Sequence, residues 1–199
     1  IDAAKAAEHK DQSATKAPLI LGTQRADRFL RAAIIRGAST EFDEELRGTQ
    51  FVANWVQDLD IALSNASVGR PEYHRQRMRW ADEFLQRFGG HDSHMTELIR
   101  WALGEATWGS GERAQAESLF EAWLREDPQW GWGWIAWSDL HWFPRHNARP
   151  DHARAEGLLQ RGLAVPGVRD REELITRLTD LYKKTGRSDE VAALAQHAT

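Results

Sequence analysis

Cysteine is absent from all 199 residues. Without it the chain can form no disulfide and offer no thiolate to a metal or a substrate, a usage that fits a reducing cytosol. Long apolar runs are missing as well. No stretch approaches the ~20 residues that a membrane helix needs, and no basic-then-apolar leader precedes a cleavage site. The expected location is therefore the cytoplasm, with no membrane partner. The chain begins at Ile1 and not Met, which reads as a processed, tagged or trimmed form. Charge of one sign is not in excess: the net charge is −4, which creates no general pull toward nucleic acid. There is no phosphate-cradling glycine loop and no nucleophile elbow. The expectation is a protein that is not an enzyme and carries no cofactor and no metal.

What is present is tryptophan. Eight of the ten fall between Trp101 and Trp142. Burying one removes about 200 Å² from water, a gross gain of about 5 kcal/mol as an upper bound. Such a density builds either an aromatic core or a groove that something else covers. A hydrophobic content of 41% and a charged content of 28% indicate a folded globular chain rather than a disordered one.

The spacing is helical throughout. Residues 1–17 are polar and Ala-rich without apolar periodicity, and read as a tail. A helical N-terminal section covers 18–92. Within it, Arg25–Arg36 carries an apolar face before Gly37. Ser39 and Thr40 precede acids at 41–45, which suit the positive end of a helix that continues through Phe51, Val52, Trp55, Val56, Leu59 and Leu63. Asn65–Arg70 breaks it. Pro71 opens the next helix, whose expected buried face is Met78, Ala81, Phe84, Leu85 and Phe88, before Gly89-Gly90. From 93 to 199 the pattern pairs helices, in units near 94–130, 131–168 and 170–199. The alternation at Trp130–Trp134 is short and runs into helical spacing, so it reads as a turn entering a helix. The fold class is all-α.

The spacing Leu103-Gly104, Gly111, Ala116, Phe120, Pro128 resembles a tetratricopeptide repeat, whose helix pairs run about 34 residues. Gly104 and Ala116 are small enough for close helix approach, Phe120 fills the space behind them, and Pro128 sets the turn. Thr107 and Trp123 depart from that pattern. The second unit carries five extra residues between its helices, in a connector with Pro144 and Pro150. Its stretch QWGWGWIAWSDLHW, with ADEFLQRFG at 81–89, also resembles the helical region of bacterial proteins that carry a SEC-C metal-binding motif. That motif's cysteines do not exist here, so its zinc site is not carried over. The resemblance implies a right-handed solenoid of helix pairs whose first helices line a concave groove. It places Trp101, Glu105 and Trp108, then Trp132, Asp139, Trp142 and Phe143, then Asp180 along that groove. Trp108 and Trp142 would be equivalent exposed anchors, and Glu105, Asp139 and Asp180 an acidic row.

The expected function is a bacterial interaction scaffold. Its groove would take a protein or peptide segment with apolar and basic residues, the cation stacking on indole and pairing with the acids. Alternatives are a homodimer through the same Trp surface, a groove filled by the protein's own N-terminal helices, and a nucleic-acid adaptor through Arg70, His74, Arg75, Arg77 and Arg79. His91 with His94, and His141, His146 and His152 with Asp139 and Asp151, have metal-ligand residue types. Their spacings match no zinc signature, and a helix cap and a polar connector explain them better.

Overall fold

Apolar residues three and four apart become helix wherever the chain is described. A computed structural model of the protein describes residues 52–68, 70–90, 93–144 and 149–197. The polar tail, the helix at 25–36, the capped start at Ser39 and Thr40, and His91 and His146 lie outside the described residues. The described helices are α1 Val52–Ala66, α2 Pro71–Phe88, α3 Ser93–Gly109, α4 Arg113–Glu126, α5 Gly131–Trp142, α6 His152–Leu163, α7 Arg171–Lys184 and α8 Ser188–His197. Among the described residues there is no strand, and no helix is long and apolar enough to cross a membrane. The chain divides into two compact units, Ile1–Thr96 and Glu97–Thr199.

In the first unit α1 packs on α2. Val56, Leu59 and Leu63 meet a face of Tyr73, Trp80, Ala81 and Phe84. Pro71 occupies the start of α2, where its missing N–H costs nothing, and the helix ends before Gly89 as its spacing predicts. The face itself is rotated from expectation. Met78 is only half-buried, while Arg77 is buried at 3% exposure among the apolar residues. Arg77 points inward because Asp60 of α1 is buried opposite it and accepts two hydrogen bonds, from Nε at 2.6 Å and Nη2 at 2.8 Å. The basic stretch therefore loses Arg77 to the core.

The second unit is organised around α5. Eleven of its 12 residues are buried, so it has no polar face and has to be surrounded. It packs on α4, α6 and α7; α6 packs on α7, and α7 on α8. The flanking helices supply one stripe each: Ala116, Phe120 and Leu124; Ala155, Leu158, Leu159 and Gly162; Leu174, Leu178, Leu181 and Tyr182. Aromatic rings run through this core without a break. Trp130 meets Trp123 edge-on, Trp123 meets Phe120 edge-on, Phe120 stacks on Trp137 at 6.1 Å, and Trp137 stacks on Trp134 at 6.1 Å. Arg154 and Arg161 of α6 cover the last rings with their guanidinium groups. Trp123, where the repeat pattern has a small residue, fits because it stands partly exposed and edge-on to Phe120.

Gly104 carries out the role its position implies. A Cβ there would run into the ring of Phe120. Gly111 adopts φ 96° to turn α3 into α4. Arg169, between α6 and α7, ties the turns together: its guanidinium reaches Glu97 at 2.6 Å and Asp127 at 2.8 Å, and its N–H donates to the carbonyl of Gln129 at 2.9 Å.

Candidate binding face

Helical spacing places Trp101 and Glu105 on one face of α3, and Trp132, Asp139 and Trp142 on one face of α5. Two sites result. At the first, the indoles of Trp101 and Trp132 stack at 5.8 Å with 16° between planes. Both remain partly exposed. They come from different helices, so the pair is created by packing and not by local sequence.

At the second site, Asp139 lies near the end of α5 at 6% exposure. Its Oδ1 accepts a hydrogen bond from Trp142 Nε1 at 3.1 Å, and its Oδ2 lies 3.5 Å from the guanidinium of Arg177 on α7. Trp142 stacks on Phe143 at 4.7 Å, and the Arg177 guanidinium sits 5.0 Å over the Phe143 ring. Carboxylate, indole, phenyl ring and guanidinium thus close a ring. Burial pushes the Asp139 carboxyl up to about 7; the charge of Glu105 adds to the rise, against the opposing effects of Arg177 and the Trp142 N–H. Glu105 is itself buried, at 7% exposure.

Trp108 and Trp142 are not the exposed anchors that the repeat register implied. They are 6% and 7% exposed. Trp108 meets the His141 ring edge-on at 5.0 Å and is covered by the Arg113 guanidinium. Trp142 is held between Asp139 and Phe143. The acidic row is likewise broken: Glu105 and Asp139 are buried, while Asp180 stands exposed on α7. Asp139 is covered by Trp142, which donates to it, and by Arg177.

His141 and Asp139 belong to α5 rather than to a polar connector. His141 is buried with Nε2 at 2.7 Å from Glu117 Oε1, and Arg154 reaches Glu117 Oε2 at 2.9 Å. Burial would raise the Glu117 carboxyl, but hydrogen bonds from His141 and Arg154 outweigh it and bring it below the usual range. Asp151 caps α6, accepting from the backbone N–H of Arg154 at 2.9 Å. Among the described residues no group of three His, Asp or Glu side chains is arranged to hold a metal ion.

Arg177 went unrecognised in the sequence. The repeat register aimed Asp180 at the groove, and Thr176, four residues earlier, shares that face of the helix. One residue is about 100° of rotation on a helix, enough to direct Arg177 toward Asp139 instead. No family model, no curated protein and no solved structure matches the chain.

Proposed function

We propose that the protein is an interaction scaffold without enzymatic activity, a tetratricopeptide-like array that holds a protein or peptide segment against its first helices. The side-by-side packing of α5 and α7, two helices apart in the chain, supports such an array. The stacked, partly exposed pair of Trp101 and Trp132 carries the reading. Indoles offer large contact area at small entropic cost and are the commonest interface anchors. In a chain that buries Trp108, Trp130, Trp134, Trp137 and Trp142, Trp101 and Trp132 stay partly exposed and, unlike the partly exposed Trp123, which meets Phe120 and Trp130 edge-on, stack face to face on each other.

The test is capture with the full chain and a Trp101→Ala, Trp132→Ala variant, alongside circular dichroism. A bound partner should be lost by about 30-fold per anchor, the weight of one hot-spot residue, with helical content unchanged. Equal capture by both proteins defeats the proposal. Light scattering on the same samples separates the alternative. A dimer of the parent chain that dissociates in the variant makes the occupant a second copy.

A further inference from the structure

We propose that Arg177 stands in for an arginine of the bound segment: the corner formed by Asp139, Trp142 and Phe143 is a guanidinium site that the chain fills with its own side chain until a partner displaces it. This rests on the scaffold reading above and specifies the chemistry that the segment must carry.

The corner has the parts that recognise a planar cation. A ring face, Phe143 backed by Trp142, takes the plane of the guanidinium, and a carboxylate lies at its edge. The resident fits the site poorly. Charge-assisted N–H···O contacts run at about 2.7–2.9 Å and are strongest when doubled. Arg177 reaches Asp139 with one contact at 3.5 Å. Where this chain holds an arginine firmly it does so differently: Arg77 is bidentate on Asp60 at 2.6 and 2.8 Å. The Arg177 side chain also keeps 24% of its surface in contact with water, against 4% for Arg77, so it can swing out and be replaced. The charge around Asp139 invites replacement. Glu105 from α3 adds negative charge, and Arg177 from α7 is the cation opposing it. A guanidinium entering bidentately would satisfy both the carboxylate and the ring. An ammonium lacks the plane needed to stack, so arginine is preferred over lysine.

The experiment uses the full chain and acetyl-Leu-Arg-Leu-amide at about pH 8, where the Asp139 carboxyl is ionised, with lysine and citrulline versions as controls. The readout is the ¹⁵N–¹H signal of the Trp142 indole, assigned with Trp142→Phe. The arginine peptide should shift it saturably, the lysine peptide more weakly, and the neutral citrulline peptide not at all. If Arg177 fills the site about nine-tenths of the time, Arg177→Ala tightens binding about tenfold, and Asp139→Asn abolishes it. Should Arg177→Ala lose its helical signal, Arg177→Gln, which retains a stem over Phe143, has to show the tightening. Unchanged or weaker binding in the folded Arg177 variant, or equal binding of citrulline, overturns the proposal. If capture through Trp101 and Trp132 persists while the arginine peptide stays silent, this inference fails alone. If both are lost, the scaffold reading fails with it.

Discussion

Two buried aspartates in this protein meet an arginine in opposite ways. Asp60, in the first unit, receives Arg77 head-on through two short hydrogen bonds, with both side chains nearly out of water. Asp139, in the second, has a single contact of 3.5 Å to a partly solvated Arg177 and also accepts from the Trp142 indole N–H and the Ser138 side chain. Burial alone therefore does not decide how a charge is held. Geometry does. A fork-to-fork pair anchors one helix to another, whereas a slack pair beside a second acid leaves a carboxyl that takes up a proton near neutral pH. The first arrangement belongs to a core and the second to a site that can change.

The largest effect should come from breaking the tight pair. Arg77→Ala strands Asp60 in an apolar setting and is expected to cost about 3–5 kcal/mol, read as lost hydrogen-exchange protection in α1 and α2. A loss below about 1 kcal/mol would put the two pairs in the same class.

Asp139→Asn probes the slack pair through pH. The carboxyl is raised from 3.8 to about 7 on folding, so the folded state binds its proton more tightly than the unfolded state. The parent chain is thus expected to lose stability as pH rises from about 4 to about 7, by at most about 4 kcal/mol, and to level off above that. The Asn variant, which imitates the protonated form and can still accept from Trp142, should show a flatter profile and be the more stable protein at pH 8. Urea unfolding across pH 5–8 decides this, and identical slopes for the two proteins contradict it.

Arg177→Gln at pH 6 is expected to cost no more than about 1 kcal/mol, because the pair it breaks is partly solvated and its carboxyl is largely protonated there. The smallest change belongs to the exposed pair Glu83–Arg87 on α2. Arg87→Ala should cost about 0.3–0.5 kcal/mol and less in 1 M salt. A thermal shift for Arg87→Ala as large as that for Arg77→Ala would erase the distinction drawn from burial.

Much of the fold could be read from residue spacing. The Trp130–Trp134 alternation enters α5 as a turn and not as a strand, Pro71 opens α2, and Gly104 receives the ring of Phe120. Each of these depends on neighbours one or two turns away, or on a steric rule that holds in any fold. The face of α2 was harder to assign. Arg77 lies between Arg75 and Arg79 and looks like one more solvated cation, and only the presence of Asp60 across the helix interface draws it inward. Arg177 was hidden for a related reason, since a one-residue error in the register of α7 exchanges it for Thr176. The candidate site was half visible. Trp101 and Trp132 came together as partly exposed rings, whereas Trp108 and Trp142, identical in type and equivalent in spacing, turned out to be covered.

Residue order alone determined that the described chain is helical and that its tryptophan-rich segment has to be covered, by the chain itself or by a partner, because helical periodicity and the dislike of indole for water act over a few residues. Which indoles reach the surface, and which arginine faces which aspartate, were settled by the tertiary structure. Those outcomes depend on side chains delivered by helices 17 residues away, as Arg77 is from Asp60, to 38 residues away, as Arg177 is from Asp139, and no local rule carries information across that distance.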